Sequence, residues 1–315
     1  METVLGTWQT APSDGFWTKQ DTLSSERTIS CAVRHGIKTF DCAQSYGKGR
    51  AEQILAKVLS RFPGRSFNID TKIMPSSKSV RELVEKSLVR LRLTSLNRLY
   101  LHWPSSLFDW EDMLVQMHAL KSEGLIKRVG VCNLSLSQLR DLCTRIPVDT
   151  FQRPFSLLWN REFEETKAFC RENGMELAVY SPLGAGLLSG RYRTPADFED
   201  NRDRRKDFFC FNPACSEAFL ALLNTPGFSA ENALRWVAAR RPDLLLLGCR
   251  NEKQLEANLS ALESPPDAQT DERLTRAADT LCDKARGICD NMFSYNWDRE
   301  SAVSDDMAKD RGGAQ

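Results

Sequence analysis

The chain has 315 residues, of which 41% are hydrophobic and 27% charged, and a formal net charge of +1. This is the balance of an ordinary globular protein: it lacks the basic excess of a nucleic-acid partner, and no apolar run approaches the roughly 20 residues of a membrane span. The opening residues, METVLGTWQT, carry neither a basic nor an apolar signal region, so the expected location is cytoplasmic.

Strands are predicted at 4–7, 37–40, 67–72, 98–102, 128–132, 150–152, 176–180 and 244–248, and amphipathic stretches at helical spacing separate most of them. The first strand leads into GTWQ. The second delivers Asp41 and runs into FDCAQSYGKG, which sets Tyr46 in a glycine-rich loop. A carboxylate at a buried strand's end is costly without a cationic or hydrogen-bonding partner. The third strand ends on Lys72, and a helix follows over 79–91, with Val80, Leu83, Val84, Leu88 and Leu91 apolar. The fourth ends on His102, before a helix at 109–124 with acids in its first turn and Gly124 at its close. The fifth ends on Cys132; the helix after it, 134–146, has Ser135 as its N-cap. After the seventh strand, residues 184–227 hold no strand signal and include a highly charged run, read as a long excursion on the active face. A helix at 229–241 opens on Ser229, the eighth strand follows, and 270–286 forms one more helix. Residues 1–295 are expected to make one domain, and the polar stretch 296–315 a disordered tail.

Asp41, Lys72, His102 and Cys132 lie 31, 30 and 30 residues apart, about one strand–helix unit. Eight such units predict an α/β fold, the (β/α)8 TIM barrel, with a long loop after strand seven and an extra C-terminal helix. The alternative is an open doubly wound sheet, but no Gly-x-Gly-x-x-Gly follows the first strand. Residues that end successive barrel strands meet at one rim, so Asp41, Lys72 and His102 are expected as neighbours, with Tyr46 folding back over them. Asp41 then pairs with Lys72. The ammonium is expected to lower the pKa of the Tyr46 phenol from about 10 and make it a proton donor, with His102 bonding the same substrate oxygen. Singly, each has a structural reading as a cap, a turn aromatic or a surface lysine; their joint placement singles them out. Ten cysteines form no Cys-x-x-Cys pair, and His35, His102 and His118 are the only histidines, so no metal is expected.

Eight motifs then fall in one order: GTWQ (6–9), FDCAQSYGKGRAEQILAKVL (40–59), TKIMP (71–75), LYLHWPSS (99–106), GLIKRVGVCNLS (124–135), FQRPFSLLWNRE (151–162), YSPLGAGLLSGRY (180–192) and GCRNEKQLEANLSAL (248–262). In these the sequence resembles the aldo-keto reductase superfamily of (β/α)8 oxidoreductases. The resemblance implies a catalytic tetrad of Asp41, Tyr46, Lys72 and His102, with NADPH as cofactor and a small aldehyde or ketone as substrate. It implies that Cys132, Asn133 and Gln152 hold the nicotinamide carboxamide and that Tyr180 stacks on the ring. Ser181, Leu183, Gly184, Gly186 and Leu188 would wrap the pyrophosphate. Gly248 would lead to Arg250, Gln254 and Asn258 at the adenosine end, with Arg250 nearest a 2′-phosphate. Thr7 and Trp8 would line the cofactor site, and Trp8, Trp17 and Trp103 an apolar carbonyl pocket. The match departs at Cys132, usually serine, at Ser105, usually aspartate, and at Ala257, commonly acidic; only about five residues precede GTW, where family members usually carry an N-terminal hairpin, so either this start is internal or something else closes that end of the barrel. Two rival roles are a cofactor-binding regulatory subunit with little turnover, as some relatives are, and a Schiff-base enzyme with Lys72 as nucleophile. The second leaves the phosphate-binding motifs unexplained.

Overall fold

The computed structural model describes residues 1–289 apart from 13, 14, 18 and 106. Eight parallel strands close into a barrel in sequence order, the eighth pairing with the first. The elements run β1 (Glu2–Gly6), α1 (Thr22–Arg34), β2 (Thr39–Asp41), α2 (Arg50–Leu59), β3 (Asn68–Ile73) and α3 (Val80–Leu91). Then come β4 (Leu96–Leu101), α4 (Trp110–Ser122), β5 (Ile126–Cys132), α5 (Leu136–Cys143), β6 (Thr150–Pro154) and α6 (Phe163–Glu172). The last are β7 (Glu176–Tyr180), α7 (Pro213–Leu223), α8 (Ala230–Ala239), β8 (Leu244–Gly248), α9 (Glu252–Ala261) and α10 (Ala268–Lys284). The barrel expected from the thirty-residue repeat is the fold observed. The expected tail at 296–315 lies outside the described residues.

Polar side chains fix where the helices begin, and so where each strand-to-helix loop must end. Asp21, Ser79, Ser135, Ser229 and Asn251 each accept a hydrogen bond from a backbone N–H in the first turn of α1, α3, α5, α8 and α9. The stretch after β7 is more ordered than its charge run suggests: short 3₁₀ turns run through it and α7 fills its second half. The sequence of α7, PACSEAFLALL, is apolar on most sides, so it lacks the polar–apolar contrast by which an amphipathic helix is recognised.

Along each strand alternate residues point to opposite faces. Outward residues such as Leu5, Phe40, Ile69, Leu99, Val129, Phe151, Leu177 and Leu245 are buried under the helices. The inward positions of β2 to β6 are instead largely polar, and two hydrogen-bonded pairs from strands that are not neighbours cross the lumen. Arg98 on β4 donates to Glu176 on β7 at 2.7 Å, and Gln152 on β6 donates to Asp41 on β2 at 3.0 Å. Gly130 on β5 makes room for this interior, because a Cβ there would collide with the Tyr100 ring. Towards the strand beginnings Asp70 accepts from Asn97 at 2.7 Å and Arg98 at 3.2 Å, while Thr150 donates to Glu176. This polar layer fills the end of the barrel at which the strands begin.

Burial pushes the Asp70 carboxyl up to about 7, against the pull of Arg98. The folded chain therefore holds this proton more tightly than the unfolded chain, where a carboxyl titrates near about 4. The stability this brings is complete below about pH 4 and is lost as pH rises through 7, at up to about 1.4 kcal/mol per pH unit. Denaturant melts of the wild-type chain and Asp70→Asn at pH 5 and pH 8 should show the wild type losing ground at the higher pH. A pH-independent difference between the two would contradict this assignment.

Candidate active site

Asp41 closes β2, Lys72 is the penultimate residue of β3, and His102 directly follows β4. The Lys72 ammonium contacts Asp41 Oδ1, donates to the Cys42 carbonyl at 2.8 Å and lies 3.4 Å from Tyr46 Oη. Asp41 Oδ2 takes the Gln152 bond from across the barrel. Lys72 and Asp41 are only 1% and 2% exposed. The loop before α2 turns inward because Gly47 and Gly49 adopt left-handed φ values of 55° and 85°, and a Cβ on Gly47 would stand 2.6 Å from that of Ala11. At the base of this turn Glu52, fully buried, accepts from Thr71 and Ser87 at 2.7 Å each. Tyr46 is thereby laid over Lys72.

Charge and burial compete at each group. Burial works against the Lys72 ammonium, but Asp41 and then Tyr46 outweigh it and hold the lysine above its ordinary range. Burial pushes the Tyr46 phenol well above its usual range; Lys72 pulls the other way and Asp41 cancels part of that pull. Lys72 thus acts on the phenol in the expected direction, but burial outweighs it and the net shift is upward. Tyr46 keeps its proton throughout the neutral range. Burial, then Lys72, holds His102 well below the ordinary histidine range, so its imidazole is neutral. Its ring centre is 5.8 Å from that of Tyr46, and Nδ1 is 3.4 Å from Ser45 Oγ.

The expected flanking residues divide between two places. Asn133, in the left-handed region, donates to the His102 carbonyl at 2.9 Å and accepts from Tyr180 Oη at 2.6 Å, tying the ends of β4, β5 and β7 together. Trp8 lies 6.3 Å from the Tyr46 ring and Trp103 6.3 Å from that of His102. Trp17 meets Trp8 edge-on at 5.2 Å, and its ring also lies beneath Arg205, where it lines a cleft. Thr7, Cys132 and Leu188 are buried: Thr7 Oγ1 donates to the Asp41 carbonyl, Leu188 packs in the core, and the Cys132 thiol, pushed up by burial, feels both Lys72 and Asp41.

The cleft is lined by Trp17, Tyr192, Phe198, Arg191, Arg205 and Arg250 among others. Beside it the loop after β7 takes left-handed conformations at Ser181, Gly184, Ala185, Gly186 and Gly190, the kind of backbone turn that presents N–H groups to an anion. The carboxylates of the cleft are engaged: Glu199 with Lys19 at 3.3 Å and Arg191 at 3.0 Å, Asp203 with Arg205 at 2.6 Å. Arg250 has no carboxylate partner among the described residues. Its Nε donates to Gln20 at 2.9 Å, and its carbonyl accepts from Gln20 and Ser24. Burial, then Arg205, pulls its pKa down, with Tyr192 and Asp203 only partly opposing them. A phosphate fits this donor set. Nearby, Gln254 accepts from the Arg250 N–H, Asn258 bonds the Cys249 thiol, and the space a Cβ of Gly248 would take is filled by the Gln9 amide.

Sequence reasoning missed Arg205. It is 5% exposed, its guanidinium lies 4.8, 5.0 and 5.3 Å from the Trp17, Tyr192 and Phe198 rings, and it donates to the Ala185 carbonyl. The run DNRDRRKD reads as a solvated segment, and only the aromatic residues scattered before it hint otherwise.

Residues 2–279 match the model of the Aldo/keto reductase family, and the chain belongs to that family. It is an oxidoreductase of the nicotinamide-dependent kind, and carbonyl reduction is the family's general function. Aldo-keto reductase YhdN of Bacillus subtilis is 29% identical over 276 residues, covering 80% of this chain and 82% of that protein. NADH-specific methylglyoxal reductase of Escherichia coli is 29% identical over 210 residues, covering 59% and 64%. The holo form of an aldo-keto reductase from Bacillus halodurans superposes with a TM-score of 0.71 at 20% identity, over 88% of this chain and 91% of the other. A Klebsiella pneumoniae aldo-keto reductase in complex with NADPH gives 0.64 at 21%, over 87% and 89%. These two likenesses concern the fold. No helix among the described residues is long and apolar enough to cross a membrane.

Breaking the buried pair tests its weight in the fold. Lys72→Met leaves Asp41 charged inside the barrel with Gln152 and should cost about 3–5 kcal/mol in a denaturant melt. A loss below about 1 kcal/mol would mean that solvent reaches the carboxylate.

Proposed function

We propose that this chain reduces aldehyde or ketone carbonyls to alcohols with NADPH, and that Tyr46 is the proton donor. The observation that carries the reading is a phenol kept protonated by burial, 3.4 Å from a lysine ammonium and beside a neutral histidine. When bound, the reduced nicotinamide supplies a hydride to the carbonyl carbon. The remaining work belongs to the chain. As charge builds on the carbonyl oxygen, Tyr46 gives it the Oη proton. Lys72 steadies the phenolate left behind, which takes a proton back from solvent. Asp41, itself held by Gln152, fixes Lys72, and neutral His102 can offer an N–H to the same oxygen. Trp8 and Trp103, on either side of Tyr46 and His102, favour an apolar or aromatic substituent on the carbonyl. In this reading Asn133, Gln152 and Tyr180 would meet the nicotinamide end, and the loop after β7 with Arg250 the phosphate end. A cytoplasmic location belongs to the same proposal and rests on ten cysteines used mostly as buried apolar residues.

Replacing Tyr46 by Phe keeps the ring and removes the proton. Turnover of a carbonyl panel with NADPH should fall about 10²–10⁴-fold while NADPH still binds. Undiminished turnover in Tyr46→Phe would remove Tyr46 from the mechanism.

Cofactor choice separates this chain from its NADH-specific relative. The NADH molecule lacks the phosphate that Arg250 can grip through two parallel hydrogen bonds. At about 1.5–3 kcal/mol for charge-assisted bonding, NADPH should bind roughly 10- to 100-fold more tightly than NADH, and Arg250→Ala should erase most of that ratio. Tryptophan-fluorescence titration of both dinucleotides measures it. Equal affinities in the unmutated chain would refute the preference.

A further inference from the structure

Outside the barrel, on the face where α1 packs against α9, three potential metal ligands converge. Cys31 lies in the last turns of α1 and His35 caps the same helix, four residues on, so both project to one side of it. Glu256 on α9 faces them: its Oε1 is 3.8 Å from Cys31 Sγ and 4.0 Å from His35 Nε2. All three ligand atoms lie within 4.8 Å of one another. A tetrahedral zinc ion with bonds of about 2.0–2.3 Å needs ligand atoms separated by about 3.5 Å. The cluster therefore has to close by less than about 1.5 Å at its widest pair, and two of its members are free to move, because the His35 and Glu256 side chains are 45% and 57% exposed.

We propose that Cys31, His35 and Glu256 form a zinc site that clamps α1 to α9. A sulfur, a nitrogen and an oxygen ligand suit a borderline-soft divalent ion better than magnesium or calcium, and leave a fourth position for water. The thiolate and the Glu256 carboxylate together balance the ion's charge. Binding breaks the Cys31 S–H bond, and the proton goes to solvent as the zinc–sulfur bond forms. Of the neighbouring cations, Arg27 is held by Glu252 at 3.6 Å, whereas Arg34 reaches the Cys31 thiol as well as Glu252 at 3.1 Å, so zinc must displace it from the sulfur. Cys31 is buried, so the ion enters from the solvent side, past His35 and Glu256. The N-terminal ends of the clamped helices frame Arg250: Ser24 of α1 and Gln20 bond its carbonyl, and Gln254 of α9 accepts from its N–H. The site is separate from the catalytic groups and its test needs no turnover.

The full chain, stripped with a chelator, is titrated with Zn²⁺ against a chromophoric competitor and, in parallel, with Co²⁺ as a spectroscopic probe. One equivalent of zinc should bind and raise the melting temperature. Cobalt should show the charge-transfer absorption of a thiolate ligand. Cys31→Ala, His35→Gln and Glu256→Gln should each weaken zinc at least about tenfold, no less than the loss of an outer-sphere partner costs at known metal sites. If Cys31→Ala does not fold, the two variants at exposed positions decide alone. Substoichiometric zinc, no thiolate band with cobalt, or unchanged affinity in both His35→Gln and Glu256→Gln would overturn the proposal.

Discussion

A lysine ammonium and an aspartate carboxylate held together inside a closed barrel set the terms for everything around them. Removing either ion from water costs several kcal/mol, and their mutual attraction returns that only if the remaining hydrogen-bonding positions are filled. In this chain they are filled from three strands: Lys72 also donates to the Cys42 carbonyl, and Asp41 receives Gln152 from the far wall. The requirement extends outward. Thr7 bonds the Asp41 carbonyl through both its N–H and its hydroxyl, which fixes β1 against β2 where the site begins. The lumen of this barrel is thus polar along one side, whereas Val4, Ala178, Leu244 and Leu246 fill the other.

The same pair explains why the tyrosine above it is a store of protons rather than a source of phenolate. A bare ammonium beside a phenol would favour its ionised form. With Asp41 in contact, Lys72 presents a dipole instead of an isolated charge, and burial decides the balance. The phenolate becomes favourable only when another negative centre forms close by and takes the proton. Neutral His102 fits this arrangement, since an imidazolium beside the Lys72–Asp41 pair would add an uncompensated cation to a buried site.

Much of this was legible in the sequence because a barrel converts spacing along the chain into adjacency in space. Asp41, Lys72 and His102 each end a strand about thirty residues after the last, and the fold then requires them to be neighbours. What local reading could not reach were quantities set by the whole enclosure. The direction of the Tyr46 shift follows from burial, which depends on loops distant in sequence. Arg205 looks solvated until Trp17, Tyr192 and Phe198 are folded around it. The helix α7 escaped for the opposite reason, being apolar on too many sides to show a period. Cys31 and His35 have a visible helical spacing, but Glu256 lies 225 residues from Cys31 and only the packing of α1 on α9 brings it near.

The two contacts that span the lumen bear on how the chain acquires its shape. Arg98 and Glu176 are 78 residues apart, and Asp41 and Gln152 are 111 apart. At ribosomal rates of about 5–20 residues per second, Gln152 follows Asp41 by on the order of ten seconds. Once Arg98 has been added, about midway through that interval, the emerging strands contain a carboxylate and a guanidinium with part of their hydrogen bonding unmet. Such a half-barrel gains little by shedding its water, so the nascent strands stay hydrated and open. Compaction is deferred until the later strands emerge, and a single closing event then satisfies both charges.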